Sequence, residues 1–274
     1  MNAKGIEFSF PFSEMYMLRR IFTTGSAAFV LAFIYLPLLT IVWYSFSVES
    51  VNSFPIKAYS LEWYRVMAAD ESLLRAVGTS LRVAVLSTIV ALLIGTPATF
   101  ALHKFDFPGK KLLERIVLMP ITLPGIVTGV AMLSFFPRIG VELSLFAVGI
   151  GHVTFLLAIV VTQLLARFKR LDPNLEQAAY DLGATPLSAF FTVIIPNIRT
   201  AIIGAALLCL VLSMDEIPVT FFLISRDNTL PIEIYGMMRR GITPEVNAIS
   251  TLIFLVTVII LIISLRLTRN TNDQ

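Results

Sequence analysis

The chain has 274 residues, of which 57% are hydrophobic and 14% are charged. A soluble domain usually carries about 25% charged residues, so the deficit predicts a chain embedded in lipid. The net charge is only +3, and no basic run alternates with stacking aromatics, which argues against nucleic acid as a partner. The single cysteine, Cys209, excludes an intrachain disulfide, and His103 and His152 lack the spacing of metal ligands, so no metal site is expected.

Six stretches are long and apolar enough to cross a bilayer core about 30 Å thick as helices of roughly 20 residues. They do not alternate between apolar and polar residues, which indicates helices rather than strands. The predicted spans are 21–48, 83–102, 116–137, 143–166, 200–225 and 246–265. We therefore predict an all-α fold, a bundle of six transmembrane helices that forms one domain over residues 1–274.

The basic residues predict the orientation of these spans. With the N-terminus in the cytoplasm, 13 of the 21 basic residues but 8 of the 18 acidic residues fall on the cytoplasmic side. Cytoplasmic loops of membrane proteins are enriched in Lys and Arg. We therefore expect both termini to be cytoplasmic.

The connection between the fourth and fifth predicted spans carries the start signals of a helix. Asp172 suits an N-cap, and Pro173 suits the first helical position. Apolar residues then follow at helical spacing: Leu175, Ala178, Ala179 and Leu182. The pattern predicts a short helix with one apolar face.

A second helix is predicted in the same connection. Gly183 is placed to end the first helix in a left-handed turn, and Thr185 and Pro186 repeat the start signals. Pro196 limits the second helix, because proline lacks the N–H that a helix interior needs. We expect two short helices joined by a glycine hinge on the membrane face, and we call residues 171–199 the coupling segment.

The coupling segment resembles the signature of binding-protein-dependent ABC importer permeases, E-A-A-x-x-x-G-x(9)-I-x-L-P. Four positions match at the signature's spacing: Ala178, Ala179, Gly183 and Pro196. Val193 and Ile195 stand for the Ile and Leu, and Gln177 occupies the position of the Glu, with Glu176 directly before it. The resemblance implies docking into a groove on a separate ATPase subunit. The coupling residues that it implies are Glu176, Gln177, Ala178, Ala179, Asp181, Gly183 and Pro196.

Five other segments resemble the spermidine/putrescine permease subfamily. They are SLEWY at 60–64, TLPGIV at 122–127, SMDE at 213–216, LPIEIY at 230–235 and GITPEVNA at 241–248. The resemblance implies the type I ABC importer permease fold and a polyamine cargo delivered by a periplasmic binding protein. A permease for another small solute, such as an opine, a phosphonate or ferric iron, is the alternative.

The resemblance also implies partners and a location. They are a second homologous permease, two copies of a cytoplasmic ATPase subunit, the binding protein, and the lipid of a bacterial inner membrane. The chain has no GxxxxGK[ST] loop, so ATP and Mg²⁺ are expected on the ATPase, with no cofactor on this chain. Such a chain is not an enzyme. A proton-coupled secondary transporter is a rival, against which the absence of an inverted repeat counts. A membrane enzyme is a further rival, but the sequence offers no nucleophile constellation.

Two adjacent acids interrupt the fifth predicted span. Asp215 is about 22 Å along a helix from Thr200, and an ionised carboxylate within a bilayer costs about 2.5–3.5 kcal/mol. Pro218 cannot donate to the carbonyl of Met214, so the helix is expected to kink or unwind nearby. Acids beside a broken helix indicate a cation site in a substrate pathway, with Asp215 and Glu216 as candidates.

Aromatic faces attract cations, and four aromatic residues complete the predicted pathway: Trp43, Tyr44, Phe221 and Phe222. Neighbouring residues on a helix point about 100° apart, so the two acids are not both expected to face one cavity. In the alternative interpretation, Glu216 pairs with Arg82 or Arg240, and the phenylalanines face lipid.

The third predicted span contains Pro120, Pro124 and a Gly125-xxx-Gly129 pair. Glycines four residues apart allow two helices to approach closely. Helix packing is favoured here over a direct role in substrate binding.

Overall fold

The structure, a computed structural model, describes residues 12–241 and 243–272, with side chains described for 19–241 and 243–259. Within these ranges the regular structure is helical, apart from one isolated antiparallel bridge between Ser47 and Tyr59, which confirms the all-α fold. The α-helices are α1 (Phe12–Tyr44), α2 (Glu62–Ala69), α3 (Glu71–Lys104), α4 (Lys110–Thr122), α5 (Gly125–Phe135), α6 (Leu145–Phe168), α7 (Asn174–Asp181), α8 (Pro186–Ala189), α9 (Ile195–Met214), α10 (Pro218–Leu223), α11 (Leu230–Arg240) and α12 (Pro244–Asn272).

Within the described residues, four helices are long and apolar enough to cross a membrane. They are Arg19–Tyr44, Glu71–Lys104, Leu145–Phe168 and Pro186–Met214. A fifth is formed if Lys110–Thr122 and Gly125–Ile139, which are bent by 108°, cross as one span. The apolar stretch of α12 with described side chains, Pro244–Ile259, is shorter. These helices are consistent with six spans, and the exact number stays a prediction.

The third predicted span, 116–137, was expected to be one helix, and this is wrong. It is divided between α4 and α5, and Leu123 between them is extended, with φ −86° and ψ 140°. The residue before a proline is driven out of the helical region by the proline ring, and Pro124 has no N–H with which to continue α4. A single proline at a helix junction therefore accounts for the bend.

The chain divides into two compact units, Met1–Ala69 with Gly241–Gln274, and Asp70–Arg240. The single domain over 1–274 stays a prediction. In the first unit, α12 packs against α1 and α2. The loop before α2 is held by Trp63, whose indole N–H donates to the carbonyl of Ser47 at 2.8 Å.

The second unit is built on α3, α6 and α9, which pack against one another. Asp70 starts α3, because its carboxylate accepts the backbone N–H groups of Ser72 and Leu73 at 2.7 and 3.2 Å. The pair α5 and α10 packs together, and α10 also packs on α6. The core between α3, α6 and α9 includes Leu156, Val160, Leu164, Phe168, Ile198 and Cys209. Cys209 is thus a small buried packing residue.

Candidate functional site

The fifth predicted span is broken at the two acids. Helix α9 ends at Met214, Asp215 is its C-cap with φ −102° and ψ 3°, and α10 begins at Pro218. The cause is the one expected from sequence, since Pro218 has no N–H to donate to the carbonyl of Met214. The predicted interruption near Pro218 is confirmed.

The Glu216 carboxylate has a structural role at the start of α10. Its carboxylate accepts the backbone N–H of Val219 at 2.9 Å and so caps the first turn of α10. Among the described residues it forms no ion pair with Arg82 or Arg240, the two partners that the alternative interpretation offered. Its role in the structure is therefore that of a helix cap.

Asp215 differs from its neighbour. It is exposed, and within the described part of the chain its carboxylate has no hydrogen bond and no ion pair. A helix C-terminus carries a partial negative charge from its free carbonyls, which adds to the charge of Asp215. The break therefore presents one free carboxylate and the last carbonyls of α9, a combination that attracts a cation.

A buried histidine joins the two sides of the break. His152 on α6 is 1% exposed, and its Nδ1 lies 2.7 Å from the Ser213 hydroxyl while its Nε2 lies 2.8 Å from the Thr220 hydroxyl. Ser213 is near the end of α9 and Thr220 is in α10, so one imidazole fixes both helix ends. The spacing of His152 in the sequence argued against a metal ligand and gave no indication of this role. The hydroxyl residues on either side of the acid pair were the available signal.

Three glycines let the neighbouring helices reach α10. A Cβ on Gly125 would lie 2.9 Å from Cβ of Pro218, and one on Gly129 would lie 2.9 Å from the carbonyl oxygen of Pro218. A Cβ on Gly151 would lie 2.7 Å from Cγ1 of Val219. Atoms at these distances would have to move apart, so only glycine permits this contact. The packing interpretation of the glycine pair in the third span is confirmed, and Gly151 is an addition from α6.

The two phenylalanines of α10 have different surroundings. Phe222 packs where a side chain on Gly129 would lie, with its ring 2.7 Å from the position of that Cβ. Phe221 is 46% exposed, and its ring lies edge-on to Tyr235 with centroids 6.2 Å apart. Phe221 is therefore the one of the pair whose face is available to a ligand.

The other predicted aromatics belong to the first unit. Trp43 is 45% exposed and donates its indole N–H to the hydroxyl of Tyr59 at 3.0 Å, and its ring lies edge-on to Phe54. Tyr44 is the last residue of α1 and is partly buried. Their membership of one pathway with Asp215 stays a prediction.

The coupling segment begins as predicted, with a shift of one residue. Helix α7 starts at Asn174, with Pro173 before it, and the carboxylate of Asp172 accepts the N–H of Asn174 at 2.9 Å. The cap was expected to place Pro173 inside the helix. The hydrogen bond to the Asp172 side chain is present, but its donor is Asn174, the first residue after the proline.

Gly183 forms the predicted left-handed turn, with φ +84°. Its N–H donates to the carbonyl of Tyr180 at 2.8 Å, and the N–H of Ala184 donates to the carbonyl of Ala179 at 3.0 Å. These two bonds make a Schellman motif, which satisfies the last carbonyls of α7. The Thr185 side chain then accepts the N–H of Ser188 and starts the next helix, as predicted.

The second short helix was expected to stop near Pro196, and this is wrong. Helix α8 runs through a π-helical turn, Phe190–Ile194, into α9, so Pro186–Met214 is continuous. In that turn the N–H of Ile195 donates to the carbonyl of Phe190, one residue further back than in an α-helix. The hydrogen-bond pattern of the helix therefore shifts by one residue just before Pro196. Because of this shift, the N–H that proline lacks does not interrupt a run of regular α-helical hydrogen bonds.

One residue of the signature region is engaged within the chain. Glu176 accepts hydrogen bonds from the Lys104 ammonium at the end of α3 and from the Tyr180 hydroxyl, and Lys104 donates to Tyr180 at 2.9 Å. Burial alone would raise the pKa of Glu176, but the bonds from Lys104 and Tyr180 outweigh it and lower that pKa. The family resemblance implied that Glu176 contacts the ATPase, and no pattern in the sequence indicated this cluster.

The outward face of α7 carries small and polar residues. Ala179 is 8% exposed and packs inwards, and the Gln177 amide donates to the Asp181 carboxylate at 3.3 Å. Gln177, Ala178 and Asp181 are exposed, and the following Leu182 is 89% exposed. The exposed face at the end of α7 therefore combines one open leucine with small and polar residues.

Comparison with known proteins places most of the chain in one family. Residues 91–271 match the family described as binding-protein-dependent transport system inner membrane component. The chain is 33% identical over 229 residues to the putrescine transport system permease protein PotI of Escherichia coli K12, with 81% of each protein covered. It is 30% identical over 255 residues to the spermidine/putrescine transport system permease protein PotC of the same strain, covering 93% of this chain and 96% of that protein.

A solved structure has the same fold. It is a bacterial ABC transporter involved in the import of the acidic polysaccharide alginate, and it is similar with a TM-score of 0.66. The match covers 91% of this chain and 96% of that one, at 17% identity. At that identity the similarity concerns the fold.

Proposed function

Because the chain belongs to the family of binding-protein-dependent transport system inner membrane components, we propose that it forms the polyamine pathway of an ATP-driven importer together with a second, homologous permease. It is a permease subunit rather than an enzyme, as the sequence resemblance implied. The family also excludes the proton-coupled secondary transporter. The observation that carries the proposal is the free carboxylate of Asp215 at a helix break, in a chain whose relatives are named for putrescine and spermidine.

Asp215 is the residue we assign to the cargo. Polyamines carry several ammonium groups, and each can donate to a carboxylate and to the carbonyls at the end of α9. Phe221 offers an exposed aromatic face six residues further on, which suits a cation. This chemistry disfavours a phosphonate, since Asp215 would repel an anion. It also gives Glu216 a supporting role, because Glu216 holds the start of α10.

The energy for transport comes from a separate ATPase. We propose that two copies of that subunit, with ATP and Mg²⁺, receive the coupling segment through Gln177, Ala178, Asp181 and the open Leu182. Gly183 provides the turn that sets this surface at the end of α7. We propose that a periplasmic binding protein delivers the cargo, which the family's description as binding-protein-dependent supports.

We also propose that the chain lies in a bacterial inner membrane with both termini cytoplasmic. The excess of Lys and Arg in the segments that this orientation places inside supports it. Cysteine labelling of intact cells at the loop after α1 and at the coupling segment tests it. Labelling of the first from outside and of the second only after permeabilisation is the expected result, and the reverse contradicts the orientation.

Substitution of Asp215 tests the cargo site. Asp215→Asn keeps the size but removes the charge, so uptake of putrescine or spermidine by the reconstituted importer should fall about tenfold or more, the scale of one charge-assisted contact. Binding of cargo to the binding protein and the melting temperature should not change. Asp227→Asn, which removes an exposed charge in the loop after α10, is the matched control and should transport normally.

Glu216→Gln separates the two acids. Because Glu216 caps α10, its substitution should lower the melting temperature more than it changes cargo selectivity. Normal uptake with normal stability in Asp215→Asn contradicts the proposed site. A lower melting temperature with unchanged uptake in that variant assigns Asp215 to the fold instead.

The absence of a phosphate-binding loop gives a second test. The isolated chain should show no ATP hydrolysis, and activity should appear only when the ATPase subunit is added. Hydrolysis by the purified chain alone would contradict the proposal.

A further inference from the structure

An apolar groove lies between α3 and α6. It has a volume of about 610 Å³ and runs along α3 from Arg82 to Ile94 and along α6 from Leu145 to Thr154. Both helices run in the same direction along it. At 1.5 Å per residue its length is about 18 Å, a little more than half of a hydrocarbon core about 30 Å thick. The groove is therefore as long as one leaflet of a bilayer.

The walls of the groove offer no free polar group along its length. The Ser87 hydroxyl donates to the carbonyl of Gly149 at 3.4 Å, and the Thr154 hydroxyl donates to the carbonyl of Ile150 at 2.8 Å. The other side chains below Arg82 are apolar. An occupant of this part must itself be apolar.

One end of the groove carries a positive charge. Arg82 is exposed, and in the described part of the chain it has no ion pair and no side-chain hydrogen bond. It stands at the end where α6 begins, and Leu145 lies opposite. A guanidinium presents a planar fork of donors that fits a phosphate group.

We propose that this groove binds one anionic phospholipid, with an acyl chain between α3 and α6 and its phosphate on Arg82. The charge at one end, the apolar walls and the length of one leaflet each match a part of such a lipid. In the orientation proposed above, the site belongs to the outer leaflet. Lipid binding at this groove does not depend on the cargo, so a variant can lose polyamine uptake and keep the lipid, or lose the lipid and keep uptake.

Lipid titration of the purified importer tests this site. The complex is stripped of lipid by detergent exchange and titrated with palmitoyl-oleoyl phosphatidylglycerol or phosphatidylcholine, and bound lipid is counted by native mass spectrometry. The wild type should bind phosphatidylglycerol more tightly than the zwitterionic lipid. Arg82→Gln should reduce that preference about tenfold, and Arg138→Gln, which changes another exposed arginine, should preserve it.

Filling the groove tests the position of the acyl chain. A Cβ on Gly149 would meet only the Ser87 hydroxyl, at 3.8 Å, so Gly149→Leu extends into the groove without displacing backbone. This variant should lose the bound lipid of either headgroup. Gly204→Leu places the same side chain on α9, where a Cβ meets nothing within 4 Å, and should retain it.

Three results would overturn the proposal. They are an unchanged headgroup preference in Arg82→Gln, unchanged lipid binding in Gly149→Leu, and loss of the second permease from the complex in Gly149→Leu but not in Gly204→Leu. The last result would mean that a protein subunit covers the groove.

Discussion

The ion pair between Lys104 and Glu176 ties the coupling segment to the end of α3, and Glu176→Gln is expected to loosen it. The side chains of Lys104 and Glu176 are 27% and 19% exposed, so water screens the pair only in part. A hydrogen bond to a charged group contributes about 1.5–3 kcal/mol, and Gln can still accept from Lys104 and Tyr180. We therefore expect a loss of about 1–2 kcal/mol, which raises the population of undocked α7 by a factor of about 5–30.

Hydrogen exchange measures that population directly. The amides of α7 in the purified importer should exchange faster by the same factor in Glu176→Gln, while those of α6 keep their protection. Asp106→Asn is the control, because it removes an exposed carboxylate that pairs with Lys110 and lies outside the coupling segment. If the coupling segment docks on the ATPase as proposed, uptake per ATP hydrolysed should also fall in Glu176→Gln, since a loosely held segment would transmit less of the ATPase movement.

A double-mutant cycle tests whether the interaction between Lys104 and Glu176 causes the change in α7 exchange. Lys104→Met should cost less in the Glu176→Gln background than in the wild type if part of its effect arises through the charge of Glu176. Additive effects, or unchanged exchange of α7 in Glu176→Gln, would refute the reasoning.

The remaining predictions concern pH and packing. The lowered pKa of Glu176 means that its contribution is complete above its ordinary value of 4.5 and is lost only as the pH falls further, so α7 exchange relative to Glu176→Gln should not change between neutral and weakly acidic pH. Gly183→Val puts a β-branched residue at φ +84°, which should abolish uptake while the spans still insert. His152→Ala leaves two buried hydroxyls unpaired and should destabilise the importer by about 2–5 kcal/mol in chemical denaturation. Gly129→Ala should lower the melting temperature, whereas Gly204→Ala should not.

Local chemistry made part of this structure predictable. The break at Pro218 and the left-handed turn at Gly183 depend on single residues whose backbone limits are strong, and both occur as expected. The orientation of two adjacent side chains is a local matter too, and Asp215 and Glu216 do have different surroundings. Such features need no knowledge of the rest of the chain.

Distant contacts were not predictable in this way. Lys104 and Glu176 are 72 positions apart, and His152 meets Thr220 across 68 positions, so neither contact leaves a pattern at helical spacing. At Pro196, by contrast, a local rule predicted an effect that did not occur. Its usual effect was expected, but a π-helical turn just before it allowed the helix to continue.

That continuity has a mechanical consequence. Pro186–Met214 is an uninterrupted rod of 29 residues, with the turn at Gly183 just before one end and Asp215 directly after the other. Such a rod is about 43 Å long, and tilting it by about 10° about one end displaces the other by about 7 Å. If the ATPase docks beside Gly183 as proposed, a small rotation imposed there would be converted into a displacement larger than an ammonium group at the opposite end, with no change in the length of the helix.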